Sequence, residues 1–146
     1  MIRQALVETE TGSEAAFAIV AAASGKAVGS TRLLRDQRPH HALEIGWTWI
    51  GPSWQRPATN TACTLWLLGH AFDGLGAHRV ALKTDARNVR SQRAIERIGG
   101  VREGVLRRHR VCWDGFVRDS VYYGIVDGEW PNVKSRLRGM LGDAGR

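Results

Sequence analysis

Apolar and polar positions along the 146-residue chain change period several times, and each change marks an element. Residues 3–10 read as the end of a helix. Phe17 to Ala22 form a short apolar run, Ser24-Gly25-Lys26 reads as a turn, and Ala27 to Leu34 resume as a strand, which is a hairpin signal. Arg35 to His41 is polar and reads as a loop. Ala42 to Ile50 alternates and is rich in β-branched and aromatic residues, as strands are. Helical spacing follows. Thr61, Leu65, Leu68, Phe72 and Leu75 recur every three or four residues and predict one buried face. Pro57 suits the first turn, and Gly74 and Gly76 stop the helix. His78 to Thr84 is a short strand. Val89 to Ile98 reads as a second helix, capped by Asn88 and stopped by Gly99. Val101 to Val111 and Val117 to Val126 read as strands joined around Trp113-Asp114-Gly115, where Asp-Gly is a strong hairpin turn. Residues 129–141 predict a closing helix.

Strands 42–50 and 78–84 flank a helix and so predict a right-handed parallel crossover, while the remaining strands are antiparallel. The fold class is therefore mixed α/β around one mostly antiparallel sheet. The length suits one domain over residues 1–146, with one core and no room for two.

Composition narrows the class. An apolar content of 43% argues against disorder, and no apolar run approaches the ~20 residues needed to cross a bilayer. The N-terminus shows no long apolar segment with a cleavage site, so no signal peptide is expected. Cys63 and Cys112 stand alone in regular segments, which fits a reduced, cytoplasmic protein. The five histidines are scattered, so no metal site is expected. The net charge of +7 suits nucleic acid or a cofactor with several phosphates. Its arginines are spread along the chain without the signatures of nucleic-acid modules, which ranks nucleic acid second.

The candidate chemistry lies in residues 43–61, a strand with one carboxylate, a polar turn and a helix start. Period-two alternation puts Glu44, Gly46, Thr48 and Ile50 on one face and Leu43, Ile45, Trp47 and Trp49 on the other. A carboxylate flanked by apolar residues in mid-strand is partly desolvated, and desolvation favours the neutral form, the direction a general base needs. A solvated edge-strand Glu is the competing reading. From Gln55 and Arg56 through Ala58, Thr59, Asn60 and Thr61, N–H groups, an arginine and hydroxyls converge at a helix start, which attracts anions. An ordinary helix cap explains the same residues. Ser91 shares the apolar face with Ala94, Ile95 and Ile98, so its hydroxyl needs a partner, either a carbonyl of its own helix or a ligand in a cleft.

In this order Val28-Gly-Ser-Thr-Arg-Leu33, Leu43-Glu-Ile-Gly-Trp-Thr-Trp-Ile50, the Gln55-Arg56 turn, Asn88-Val-Arg-Ser91, Glu96-Arg-Ile-Gly99, Glu103-Gly104 and Arg118-Asp-Ser-Val-Tyr-Tyr123 resemble the GNAT superfamily of N-acetyltransferases. The nearest branch holds the ribosomal-protein N-terminal acetyltransferases. The resemblance implies acetyl-CoA as cosubstrate, with no metal, and direct transfer of its acetyl group to a primary amine, a protein N-terminus or a small amine. It implies cofactor binding by Trp49, Ile50, Gln55, Arg56, Ala58, Thr59, Asn60, Thr61 and Asn88, with Glu44 as base and Ser91 as acid. Ile95 stands where many relatives place a tyrosine acid. Ala58 stands where the phosphate turn usually has glycine, and Pro57 removes one N–H, so weaker cofactor binding is one expectation.

The resemblance further implies that the family's first strand and first helix precede this chain's start, an N-terminal truncation. The acceptor groove is then open, borrowed from a partner chain, or defunct. Apolar surface left by that helix leads us to expect a homodimer. The alternative to an enzyme is a non-catalytic CoA-binding or assembly module that keeps the fold. Arg107, Arg108 and Arg110 offer a charge argument for an acidic acceptor.

Overall fold

The computed structural model describes residues 14–55 and 57–144. The helix end predicted over residues 3–10 lies outside them, as does Arg56. Six strands form one sheet: β1 Glu14–Val20, β2 Ala27–Gln37, β3 Ala42–Ile50, β4 Arg79–Asp85, β5 Val101–Val111 and β6 Val117–Val126. Three α-helices accompany them: α1 Pro57–Gly69, α2 Val89–Arg97 and α3 Trp130–Ala144. The strand order is β1-β2-β3-β4-β6-β5. Among the described residues only β3 and β4 run parallel, joined by α1; the other pairs are antiparallel. The mixed sheet with one parallel crossover is the class the hydrophobic pattern predicts.

One face of the sheet makes the core. Leu33, Leu43, Ile45, Val80, Leu82, Tyr123 and Ile125 are buried together with Leu67 and Leu68 of α1, Ile95 and Ile98 of α2, and Val133 and Leu137 of α3. Strand residues two apart share a face, so these apolar positions bring all three helices to the same side. Among the described residues, no helix packs on the other side.

Besides β1, which covers Glu14–Val20 where the apolar run Phe17 to Ala22 was expected, three local features differ from the pattern in the chain. The buried stripe of α1 runs through Thr61, Thr64, Leu68 and Ala71, while Leu65 and Leu75 are only partly buried. A wider turn over His70–Gly74 continues the helix and rotates its apolar side toward Trp130, whose ring stacks on Phe72 at 5.4 Å. β2 runs on to Gln37 through positions expected as loop, because ladder pairing is a backbone property and tolerates polar side chains.

The third difference changes the site. The β2–β3 register slips by one residue between Arg32↔Gly46 and Ser30↔Trp49, with Trp47 at φ +52°. This is a β-bulge, and it reverses the alternation after Gly46. Thr48 and Ile50 turn to the helix side, where Thr48 Oγ1 and Thr31 Oγ1 share a hydrogen bond at 2.9 Å. Trp47 and Trp49 turn to the opposite face with Glu44. The uninterrupted alternation expected for this strand is thereby corrected.

Close packing beside the bulge makes Gly29 sensitive. A Cβ there would collide with the Trp49 carbonyl oxygen and sit 3.1 Å from Ile50 Cα, both backbone atoms of the paired strand. Gly29→Ala is expected to lower stability by about 2–3 kcal/mol. Gly104→Ala faces open space and should leave the urea midpoint nearly unchanged. Equal midpoints for both variants would contradict this packing.

Candidate active site

β3 and β4 pair only from Ala42↔Arg79 to Ile45↔Leu82. Beyond that point β3 stays with β2 through Trp49 and Ile50, and β4 stays with β6 through Lys83, Thr84 and Asp85. The strands part, and among the described residues their facing backbone edges have no strand partner. A cavity of about 970 Å³ fills the gap. Its walls come from the diverging strands, one side of α1, one side of α2 along its length and the β5–β6 turn.

α1 begins close to the end of β3. Of the N–H groups in its first turn, those of Ala58 and Thr59 have no acceptor inside the helix, and Pro57 has none to offer. Together with the open strand edges they form a slot suited to a ligand that carries amides along its length and negative charge at one end.

The residues singled out from the sequence divide as follows. Glu44, Ile50, Gln55, Asn60, Asn88 and Ser91 line the cavity. Gln55 Nε2 donates to the Ile50 carbonyl at 2.8 Å, which ties the turn to the strand end. Trp49 is 60% exposed on the opposite face. Thr61 is buried beneath the helix start, where its hydroxyl accepts from Arg97 Nη1 at 3.0 Å. Ala58 and Thr59 sit in the first turn outside the cavity lining, and Arg56 lies outside the described residues.

Glu44 is buried at 8% exposure, so the reading of a solvated edge glutamate does not hold. Its surroundings are not apolar either. Lys83 Nζ donates to Glu44 Oε2 at 2.8 Å. Oε1 leans over Gly46, 3.2 Å from where a Cβ would stand there, and accepts no hydrogen bond among the described residues. One oxygen is thus anchored and the other is available.

Asn88 caps α2: its Oδ1 accepts from Ser91 N at 3.0 Å. The Ser91 hydroxyl has no hydrogen-bond partner among the described residues. Ile95 is buried in the core. Of the tyrosine pair, Tyr123 is fully buried on the helix side and donates to Glu96 Oε1 at 3.1 Å. Burial and that bond raise its pKa, so it stays protonated.

Several lining residues were not among the site candidates read from the sequence: Thr48, Cys63, Thr64, Lys83 and Arg118, while Arg110 entered there only through the charge argument for an acidic acceptor. Cys63 and Thr64 follow Asn60 by one helical turn, a spacing that could have marked them. Lys83 meets Glu44 only once the β3–β4 register is known. Burial pushes the Cys63 thiol up, away from thiolate chemistry. Among the described residues no group of three or more His, Cys, Asp or Glu side chains is placed to hold a metal ion. No helix among them is long and apolar enough to cross a membrane.

A family profile described as acetyltransferase (GNAT) domain matches residues 1–101. The provisionally named ribosomal N-acetyltransferase YdaF of Bacillus subtilis is 31% identical over 110 residues, 75% of this chain and 59% of YdaF. The uncharacterized N-acetyltransferase YnaD of the same organism is 28% identical over 62% of this chain and 52% of its own length. A crystal structure of a GCN5-related N-acetyltransferase from Brucella melitensis matches with a TM-score of 0.87 at 30% identity, covering 96% of this chain and 63% of that one. The chain therefore spans between about half and two thirds of the length of these relatives.

Near the cleft, His109 shares a hydrogen bond with Ser120 Oγ at 3.0 Å. Burial lowers its pKa, helped by the charges of Lys83, Arg110 and Arg118 and opposed by Glu44. The unfolded chain takes up this proton near pH 6.5 and the folded chain only at lower pH. Stability from this residue is therefore intact above that value and falls as pH drops toward the lowered folded pKa. His109→Asn should flatten the decline in Tm between about pH 7 and 5.5, relative to wild type. An identical decline in both proteins would refute the assignment.

Proposed function

The chain belongs to the GNAT acetyltransferase family, and on that premise we propose that it transfers an acetyl group from acetyl-CoA to a primary amine, a protein N-terminus or a small amine. The observation that carries this reading is the parting of β3 from β4, with Glu44 and Ser91 lining the same cavity. When bound, the coenzyme supplies an acetyl thioester. The open edges of β3 and β4 take its amide-bearing arm, and the first turn of α1 takes the negative charge of its diphosphate. Asn60 and Gln55 lie along that path and fit such a group.

An amine must lose its proton before it can attack a thioester. Glu44 Oε1 receives that proton while Lys83 holds Oε2 and fixes the carboxylate over Gly46. The amine enters from the sheet face opposite the helices, because Glu44 lies on that face. Ser91, across the cavity on α2, gives its hydroxyl proton to the leaving sulfur. Attack is direct, with acceptor and donor bound together and no acyl group on the protein. Cys63 and Cys112 are free thiols, which suits a cytoplasmic setting.

We also propose that the chain pairs with a second copy of itself. β5 lies at the sheet's edge and exposes Val101, Val105, Leu106 and Val111. A long edge strand with apolar side chains is a template for pairing. Sedimentation equilibrium should give twice the chain mass at micromolar concentration, and a single monomeric species would rule the pairing out.

Acetyl-CoA is expected to raise Tm by several degrees at millimolar ligand. Glu44→Gln should keep that shift and lower kcat about 100-fold on a primary amine, because a positioned base contributes ~10²–10⁴-fold. An unchanged rate would remove Glu44 as the base. A thermal shift with no transfer to any amine would return the chain to a non-catalytic binding module.

A further inference from the structure

Resting on the transferase reading, we infer that the acceptor carries a carboxylate beside its amine, held by Arg110 and Arg118 on the sheet face opposite the helices. The two arginines are register partners where β5 and β6 approach their turn. Both line the cavity. They share a face with Ser120 and Tyr122, two and four residues along β6, and Tyr122 in turn meets Lys83, the partner of Glu44. The pair thus stands on the side of the cleft from which an amine reaches Glu44.

The bulge at Trp47 builds the wall of this subsite. Its ring lies 5.7 Å from the Arg110 guanidinium and 5.0 Å from that of Arg32. Arg110 is thereby held against an aromatic surface contributed by β3, so the contact spans the mouth of the cleft. Stacking of this kind fixes the plane of a guanidinium and leaves its N–H edge directed outward.

Charge pairing separates these two arginines from the other cations around them. Arg32 is paired with Glu14, Arg79 with Glu103, Lys83 with Glu44 and Arg87 with Asp85. Among the described residues neither Arg110 nor Arg118 has a carboxylate within salt-bridge distance. Asp85 feels the charge of Arg118, but its two oxygens accept from Arg87. His109 feels the charges of both arginines and of Lys83, and Glu44 is the carboxylate that acts on it, its Oε2 already held by Lys83. Arg118 Nε is buried with no hydrogen-bond partner among the described residues.

A buried donor left unbonded is costly, and a guanidinium edge is matched in geometry and charge by a carboxylate. The coenzyme's diphosphate is assigned to α1, on the opposite side of the sheet, so it does not compete for this pair. Two kinds of acceptor meet the requirement: a peptide with an acidic side chain next to its N-terminus, and an amino acid with a free α-carboxylate.

Calorimetric titration of the CoA-loaded protein with two matched pairs tests this. The first pair is the tripeptide amides Ser-Glu-Ala and Ser-Gln-Ala; the second is alanine and alaninamide. In at least one pair the acid should bind about ten-fold or more tightly than the amide, and the pair that shows it names the source. Arg110→Gln and Arg118→Gln should each reduce that preference toward unity. Arg110 is exposed and free of ion pairs, so its variant serves if Arg118→Gln does not fold. Equal affinities within both pairs, no binding at tens of millimolar, or a preference that survives both substitutions would overturn the subsite. Preferential binding without acetyl transfer would instead overturn the transferase reading and leave the subsite standing.

Discussion

The site depends on one constraint on backbone pairing: β3 cannot stay hydrogen-bonded to both neighbours along its whole length. Over Ala42–Ile45 it serves β2 and β4 together. The bulge at Trp47 then increases the local twist, and β3 follows β2 while β4 follows β6. Peptide groups left facing each other across the gap retain their need for partners. A cleft made this way binds extended, amide-bearing ligands through the same donors and acceptors that would otherwise complete the sheet. The bulge therefore sets both the opening of the slot and the direction of every side chain beyond Gly46.

The sheet also divides the chemistry. Its helix side carries α1 and α2, whose N-termini, with Asn60, Asn88 and Ser91, border the cavity. Its opposite side carries Glu44, Lys83, Trp47, Arg110 and Arg118. The proposed donor and acceptor would thus approach from different faces and meet where the strands part. The basic balance of the chain acquires a place in this arrangement. Among the described residues the cavity is bordered by Lys83, Arg90, Arg97, Arg110 and Arg118 but by a single carboxylate, Glu44. Positive potential concentrated in a cleft suits an anionic cosubstrate and an anionic acceptor without any appeal to nucleic acid.

Glu44 illustrates how far a strand residue's role is decided by its neighbours. The Lys83 ammonium donates to one of its oxygens at 2.8 Å and leaves the other free. Ser91 shows the converse. It lies on the apolar side of α2, yet the backbone bond of that turn is taken by Asn88, and the hydroxyl is left toward the cavity.

Much of the fold was legible along the chain because it rests on local periodicity and turn chemistry. The pattern marked four of the six strands to within a residue of their ends, Asn88 marked the start of α2, and Asp114-Gly115 marked the last hairpin. The parallel crossover followed from element order alone. Glu44, Asn60, Asn88 and Ser91 were likewise visible as candidates, since each breaks or caps a regular pattern. What the tertiary structure alone decided were the pairings between distant segments: the slip of register at Trp47, the Lys83–Glu44 ion pair across 39 residues, and the meeting of Trp47 with Arg110. None of these has a local signature, because a bulge is a mismatch between two strands and an ion pair needs the spacing of two ladders. Periodicity names the face a residue occupies, and only the register of the folded sheet says what stands beside it.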